Sequence, residues 1–591
     1  MKVYKIFFFS FLVLLFITAV KAQTKTPENW LTHFEKSNFL ETAKYDETMS
    51  YFKKLADASL YAKMLSFGVS PQGRKLYCLV VSKDKAFIPV EAKKTGKPII
   101  LIENGIHSGE IEGKDASMIL LREILITKVK ENLIDNTILL VVPIFSVDAH
   151  ERFGSYHRIN QNGPTEMGWR TTAQNINLNR DWTKADAPEM KAMLNLFSSW
   201  LPDFFIDTHT TDGADYQYAI TYAMEKYNNI FAETGNWIKN KLIPYFEKKV
   251  NEDGFLITQY FGFKGYKIED GITGGSFSPR FSHSYASAQN RPGLLIETHM
   301  MKPYKERVFS TKSLLNAVIE FVNNDPDKII NLNKQADVDA INRYSINKKY
   351  LPLALKLTNA NKPFTFKGFQ SVRDSSWLSG GIWTRYTNEK VEIKTNYHDE
   401  MVISDSVSVP SKYLIPEEWG TWDGLIERIK LHGIEVKQLT DPKKFIVTIY
   451  RFNNKKFANY SYEGHQRVIT DYDSYTDTVT MPKGTFVINT DQRAVKIIVN
   501  LLEPKAEDSF LQWGFFNSIF ERKEYFESYV MEKVAREMIE KNPELKIEFE
   551  KKLSEDKKFS ESPRQRLNFF YERSPYVDDH LDVYPIMRVD K

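Results

Sequence analysis

Two pairs of residues have the spacing H-x-x-E, which can present an imidazole nitrogen and a carboxylate oxygen to one metal ion. The pairs are His107 with Glu110 and His432 with Glu435. The chain has 11 histidines, and at that number about one such match arises by chance. The spacing therefore identifies candidates, and only the surrounding residues can separate them.

The surroundings of the two pairs differ. His107 and Glu110 follow a short apolar run, residues 98–102, and lie among glycines that let the backbone bend both side chains toward one ion. His432 ends a helical pattern and precedes Gly433, which is typical of a helix C-terminus. We therefore predict a metal site at the first pair and a structural role for His432.

Two later apolar runs also end in side chains that suit a metal site. His209 follows one run, with Thr210 and Asp207 beside it, and a carboxylate such as Asp207 can orient the ring of a ligand. Glu297 ends the other run, where a carboxylate near a metal can take a proton from water. We predict His209 as third ligand and Glu297 as general base, although Glu297 alone is equally well explained as a solvated strand terminus.

These side chains need a scaffold in which several strands end at one edge. Short, almost wholly apolar runs are typical of buried strands in a mostly parallel sheet, and they occur at residues 98–102, 137–144, 203–206 and 293–296. Helical patterns occupy residues 51–65, 116–126, 188–200 and 224–250. We predict an α/β fold, a three-layer sandwich with a mostly parallel mixed sheet, and a metal site at the carboxyl ends of its strands.

The composition is typical of soluble globular proteins. Hydrophobic residues make up 42% and charged residues 26% of the 591 residues, a length at which two or three domains are usual. Lys and Arg number 80 against 76 Asp and Glu, and this balance, without a long basic run, predicts no nucleic-acid partner. The single cysteine, Cys78, lies in an apolar run and is predicted to be buried.

The N-terminus has the pattern of a secretory signal peptide. Lys2 and Lys5 precede an apolar run over residues 6–20, and small or apolar residues lead to Ala22. A membrane anchor is the alternative, but the run of about 15 residues is shorter than the roughly 20 that a bilayer requires. We predict cleavage near Ala22, export to the periplasm or the exterior, and no membrane insertion of the mature chain.

The order of the motifs resembles the zinc carboxypeptidase family, the metallocarboxypeptidases similar to carboxypeptidase A. The resemblance rests on His-Ser-Gly-Glu at 107–110, Asn-Leu-Asn-Arg at 177–180, Ile-Asp-Thr-His at 206–209 and Ile-Glu at 296–297, within about residues 45–326. It implies one zinc ion at the predicted triad and hydrolysis of the C-terminal peptide bond of peptides or proteins, which would be the partners of this chain.

The resemblance also implies roles for three residues that bind or polarise the substrate. Asn179 and Arg180 bind the free carboxylate, a task that suits the planar fork of arginine. Arg170 stabilises the oxyanion, because a positive charge there lowers the barrier. Arg158 is the competing candidate for that role.

The sequence departs from the family at two points. Asn177 stands where relatives often have an aspartate that hydrogen-bonds the first zinc histidine, and an amide oxygen accepts the same bond without the charge. Relatives also have a mobile tyrosine that covers the substrate. Tyr285 is the nearest tyrosine to that position, and His283 is its possible substitute.

We predict the following organisation of the chain: a signal peptide at 1–22, an N-terminal segment at 23–44, a catalytic domain at 45–326, a linker at 327–349, a β-rich accessory region at 350–500 and a mixed, partly helical region at 501–591. Alternation of apolar and polar residues indicates the β-rich part. The sequence indicates neither an oligomeric state nor a role for residues beyond 350.

Two other functions remain open from the sequence. A zinc-dependent N-acyl amino acid deacylase would use the same ligands and base. A non-catalytic module that binds peptides or glycans could retain the fold without turnover, but such a module has no chemical need for ligands, base and carboxylate clamp together. The carboxypeptidase is therefore the leading hypothesis.

Overall fold

The computed structural model describes residues 26–226 and 229–590. The predicted signal peptide at 1–22 lies outside the described residues. Among the helices of the described part, none is both long enough and apolar enough to cross a membrane.

The first part of the described chain alternates helices and strands. In chain order they are α1 (His33–Lys36), α2 (Tyr45–Ala58), β1 (Ala62–Val69), β2 (Lys75–Val81), α3 (Pro89–Lys94), β3 (Ile99–Asn104), α4 (Glu112–Leu125), β4 (Ile138–Val142), α5 (Val147–Glu151), α6 (Pro188–Trp200), β5 (Phe204–Thr211), β6 (Ile220–Ala223), α7 (Ala232–Trp237), α8 (Ile243–Glu252), β7 (Ile257–Gln259), β8 (Gly262–Phe263), β9 (Ile272–Thr273), α9 (Ser282–Ala288), β10 (Gly293–His299), α10 (Tyr304–Asn324) and α11 (Pro326–Ala340).

The described residues of this part form a mixed sheet of eight strands in the order β1-β2-β4-β3-β5-β10-β6-β7. Pairing is parallel through the centre, from β4 to β3, β5 and β10, and antiparallel between β1, β2 and β4. Strands β3, β4 and β5 are buried along their whole length, as continuous apolar runs predict. The predicted α/β fold with a mixed sheet is confirmed.

Helices cover both faces of this sheet. Side chains alternate along a strand, so Ile100 and Ile102 of β3 pack with α4 and α10 while Leu101 packs with α6 on the opposite face. The two faces therefore carry separate hydrophobic clusters.

The predicted helix over residues 51–65 is wrong in its second half. Helix α2 ends at Ala58, and Ala62–Val69 forms the edge strand β1. Burial along β1 does not alternate regularly, because one bulge interrupts its antiparallel pairing with β2. An edge strand of this kind lacks the period of two that would distinguish it from a helix in the sequence.

Residues from 350 onward are rich in β-structure and then largely helical between 528 and 571, as predicted. The elements are β11 (Tyr350–Leu357), β12 (Lys362–Ser375), β13 (Ile382–His398), β14 (Met401–Ser408), β15 (Lys412–Ile415), α12 (Glu417–Thr421), α13 (Leu425–Leu431), β16 (Lys437–Gln438), β17 (Lys443–Phe457), β18 (Val468–Met481), β19 (Phe486–Asn489), α14 (Val495–Leu502), α15 (Ser528–Lys541), α16 (Pro543–Glu555), α17 (Lys557–Ser560), α18 (Pro563–Tyr571) and β20 (Met587–Val589).

This accessory region shares a core with the catalytic part. Phe197 of α6 belongs to the same buried cluster as Ile426 and Ile429 of α13 and the indole of Trp513. Strand β13 pairs in parallel with β9, so hydrogen bonding also connects the two parts. The two parts therefore bury apolar surface against each other.

The segment predicted as a linker, 327–349, is mostly helical. Pro326 occupies the first position of α11, where its fixed φ suits a helix start. Ile329 and Leu332 of this helix are buried in the cluster that contains α4 and α10. The apolar spacing of α11 was the signal for this helix, and the exact domain boundaries stay predictions.

The shared core predicts that the catalytic part does not fold alone. Removing residues 327–590 exposes α6 and the rest of its cluster, and each large apolar side chain contributes about 1.5–3 kcal/mol when buried, against a total stability of about 5–15 kcal/mol. We expect fragment 26–326 to show no cooperative thermal unfolding by near-UV circular dichroism, whereas residues 26–590 unfold cooperatively. A fragment with a sharp transition would contradict this expectation.

Candidate metal centre

The site lies where three adjacent parallel strands end. Strands β3, β5 and β10 pair in register, so that Asn104 lies opposite Thr208 and His209 lies opposite Glu297. The chain then turns sharply after β3 at Gly105, whose φ of 69° favours glycine. This turn carries His107 toward the other strand ends.

The three predicted metal ligands are close together and buried. Glu110 Oε2 lies 3.3 Å from Nδ1 of His107 and 3.0 Å from Nδ1 of His209. One ligand atom from each residue lies within 4.8 Å of the others, a group that could hold a metal ion. Two imidazoles and one carboxylate are a donor set that zinc accepts.

The hydrogen-bond partners of the two Nε2 atoms, on the side away from Glu110, show whether the triad could bind a cation. Nε2 of His107 donates to Asn177 Oδ1 at 2.9 Å, and Nε2 of His209 donates to Asp207 Oδ2 at 2.6 Å. Asn177 Oδ1 also accepts from a backbone N–H of Asn179, which identifies it as the amide oxygen. With both Nε2 atoms directed to these acceptors, both Nδ1 atoms face Glu110 at the centre, and the residues present fit a metal ion.

The ionisation of the triad is set by burial and charge. Burial lowers the pKa of His107 to about 4, so the ring is neutral near pH 7. Burial also opposes ionisation of Glu110, but Arg158 and His107 outweigh it and hold the pKa of Glu110 well below its ordinary value. For His209 the effect of burial is outweighed by Asp207, which raises its pKa well above the ordinary value.

One oxygen of the Glu297 carboxyl group is unbonded among the described residues. Its Oε2 is buried and has no hydrogen-bond partner among the described residues. Burial raises the pKa of Glu297 to about 8. A cation held by the triad would lower that pKa, since an opposite charge nearby favours the ionised form.

Arg158 and Arg170, the two candidates for stabilising the oxyanion, both contact Glu110. Glu110 Oε1 accepts from Nη2 of Arg158 at 2.7 Å and from Nη1 of Arg170 at 3.1 Å. The side chain of Arg158 is 17% exposed and that of Arg170 is 42% exposed. Both are therefore at the site, with Arg158 more enclosed.

The triad and Glu297 lie in a cleft of about 360 Å³ that also contains Asn179 and Arg180. Arg180 Nη1 donates to the carbonyl of Asn179 at 2.7 Å, and its guanidinium lies 4.2 Å from the ring centroid of Phe281. The structure thus brings the predicted carboxylate-binding pair to the predicted metal site.

Tyr285 is not at the cleft, and its predicted role as the covering tyrosine is corrected. Its ring is fully buried between Trp182 and Phe197, and its hydroxyl lies 2.9 Å from Nδ1 of His432. The residue lies on the inward face of α9, where large apolar neighbours hold it in the core. His432 is buried in the same interaction, which confirms its predicted structural role.

The rings that do line the cleft include His283 and Tyr260. His283, the possible substitute, is buried with neither ring nitrogen bonded among the described residues. Tyr260 was missed by sequence reasoning, since it lies in a loop with no motif to mark it. Burial, followed by the charge of Glu297, raises the pKa of Tyr260 to about 12, so its hydroxyl is protonated at neutral pH.

Comparisons with known proteins indicate one family. Residues 48–253 match the family model of the zinc carboxypeptidases. Carboxypeptidase 2 from Trichophyton rubrum is 22% identical over 497 residues, covering 79% of this chain and 83% of that protein. Carboxypeptidase 2 from Trichophyton tonsurans is 21% identical over 492 residues, with the same coverage of 79% and 83%.

Among solved structures, a metallo-carboxypeptidase from Burkholderia cenocepacia is similar over 48% of this chain and 70% of that chain, at 17% identity and a TM-score of 0.36. The predicted resemblance is confirmed by the family match over residues 48–253. This match and the curated carboxypeptidases support a peptide-bond hydrolase.

We predict that Asp207, which hydrogen-bonds His209, affects metal binding. Replacing Asp207→Ala removes the acceptor that orients the ring, and changes of this kind lower metal affinity about 10- to 100-fold. Competition with a chelating dye measures the zinc affinity. Asp212→Ala is the control, since Asp212 is an exposed acid of the same cleft without contact to a ligand. Equal affinities of the two variants would contradict the role of Asp207.

Proposed function

We propose that this protein is a zinc-dependent metallocarboxypeptidase that removes the C-terminal residue of peptides or proteins. The observation that supports the proposal is the convergence of a His-Glu-His triad, an unpartnered carboxylate and an arginine in one cleft. A general hydrolase of internal peptide bonds has no need of the arginine. An enzyme that recognises the chain end does need it.

His107, Glu110 and His209 would hold one zinc ion. When bound, zinc polarises the scissile carbonyl and makes water more acidic. Asn177 and Asp207 keep the two imidazoles in the tautomer that can bind it. Arg158 and Arg170 keep Glu110 ionised, and either arginine can also face the oxyanion that develops during attack.

Glu297 is the proposed general base. Its free Oε2 takes a proton from the attacking water and then delivers it to the leaving amine nitrogen, so that the carboxylate is restored at the end of the cycle. The lack of a fixed hydrogen bond leaves this oxygen available for both transfers.

Arg180 and Asn179 are proposed to bind the terminal carboxylate of the substrate. The Nε and Nη1 atoms of Arg180 are already bonded within the protein, and Phe281 supports the guanidinium plane. Its Nη2 has no partner among the described residues and can donate to a carboxylate. Tyr260, whose protonated hydroxyl lies at the cleft, is proposed as the ring that covers the substrate in place of Tyr285.

The same site could remove an acyl group from an N-acyl amino acid, whose free carboxylate Arg180 would also bind. Product analysis separates the two reactions. Release of free C-terminal amino acids from mixed peptides supports the carboxypeptidase. Hydrolysis of N-acyl amino acids without that release would replace it by the deacylase. Export of the mature chain remains part of the proposal.

Replacing Glu297→Gln should abolish turnover without disturbing the metal. The amide has the shape of the carboxylate and cannot accept the proton, and loss of a general base lowers kcat about 10²- to 10⁴-fold. Zinc content, measured by atomic absorption, should match that of the unmodified protein. Retained activity would remove Glu297 from the mechanism.

Replacing Arg180→Ala should remove the preference for a free chain end. Hydrogen bonds to charged groups contribute about 1.5–3 kcal/mol, so kcat/KM for peptides with a free C-terminus should fall about 10- to 100-fold. Cleavage of the same peptides with an amidated C-terminus should change little, because they lack the charge. An equal loss on both substrates would contradict the proposed clamp.

A further inference from the structure

A loop of the accessory region contacts Arg180, a residue that lines the cleft. Strands β17 and β18 form a long hairpin, and the loop at its tip, residues 458–467, contacts the catalytic domain beside Arg180. The contacts involve two neighbouring residues of this loop, Tyr462 and Glu463.

Tyr462 bonds directly to the proposed carboxylate-binding arginine. Its hydroxyl oxygen accepts from Nε of Arg180 at 3.1 Å. The tyrosine ring lies parallel to the buried indole of Trp513, with centroids 5.8 Å apart and an angle of 7° between the planes. Trp513 belongs to the core shared by both parts of the chain. The position of the guanidinium is therefore linked to that core.

Glu463 reaches the residue that orients the first metal ligand. Its Oε2 accepts from the backbone N–H of Asn177 at 2.9 Å. The side-chain oxygen of Asn177 in turn accepts from His107 and from the backbone of Asn179. One carboxylate of the accessory region thus fixes the turn that serves both the metal and the substrate carboxylate.

The backbone of the loop supports a specific role for Glu463. Tyr462 and His465 exchange two backbone hydrogen bonds, of 2.8 and 3.1 Å, around Glu463 and Gly464. Both central residues have positive φ, 50° and 79°, as in a type I′ turn. Glycine or asparagine is favoured at the first of these positions, so glutamate there is strained, and strained residues cluster at functional sites.

A third contact holds the loop in place. Nε2 of His465 lies 2.7 Å from Oδ2 of Asp186, and the imidazole stacks on Phe515. Asp186 also pairs with Lys184 and Arg428. The loop is therefore attached at a third point, through residues that do not line the cleft.

We propose that loop 458–467 is a positioning element of the active site, in which Tyr462 orients Arg180 and Glu463 fixes Asn177. The accessory region would then complete the subsite for the terminal carboxylate. This inference rests on the proposed function, because it assigns Arg180 to the substrate.

Tyr462→Phe tests the first contact, and Tyr460→Phe is its matched control. Tyr460 lies in the same loop with 84% of its surface exposed. Loss of one hydrogen bond should raise KM for peptides with a free C-terminus about three- to tenfold. We expect kcat and the thermal midpoint to stay unchanged, and the control to match the unmodified protein. A Tyr462→Phe variant that equals the control, or whose loss follows a lowered thermal midpoint, overturns the inference.

Glu463→Gly tests the second contact without breaking the turn. Glycine accepts positive φ freely, so the thermal midpoint should be retained, whereas zinc retention against a chelator should fall because Asn177 loses its anchor. Unchanged zinc retention overturns this part of the inference.

Binding separates failure of the inference from failure of the proposed function. Calorimetry on the zinc-loaded Glu297→Gln protein, with a set of N-acetyl amino acids and their amides, measures carboxylate recognition without turnover. If neither ligand binds and the unmodified protein releases no amino acids, the proposed function fails. If the acids bind, and Tyr462→Phe binds them as tightly as Tyr460→Phe does, only the role of the loop fails.

Discussion

The buried charge of Glu110 is the interaction on which the site depends. A carboxylate removed from water is costly unless it is paired and hydrogen-bonded. Here Oε1 accepts from Arg158 and Arg170, Oε2 accepts from the backbone N–H of Thr210, and the imidazoles of His107 and His209 lie beside Oε2. These groups come from the ends of β3 and β5 and from the long loop before α6, so satisfying one charge draws three segments of chain together.

The parallel register of the central strands makes that convergence possible. Since β3, β5 and β10 run in the same direction, their carboxyl ends meet at one edge of the sheet. Each strand then contributes a different candidate group: a loop with two candidate ligands, a third candidate ligand with its orienting carboxylate, and the proposed base. The sheet has buried apolar faces on both sides, which keeps these strand ends in fixed relation.

Hydrogen bonds from more distant residues then orient the side chains of the site. Asp207 is itself bonded by Ser282 at the start of α9, so the orientation of His209 depends on an element 75 residues away in the chain. Arg180 is bonded by Tyr462, 282 residues away. The active site is consequently a product of the whole chain, although the family match covers only residues 48–253.

The sequence by itself determined the α/β class, the buried strands and the residues of the triad, because apolar runs and the polar residues that end them are local patterns. It also separated His107 from His432, since the neighbouring glycines differ in position. Tertiary structure alone decided three features. They are the buried position of Tyr285, the strand in place of a helix in the second half of residues 51–65, and the contact of loop 458–467 with Arg180. Packing partners far away in the chain decide which way a helical side chain faces, whether a segment joins a sheet edge, and which distant loop contacts Arg180. No local spacing carries that information.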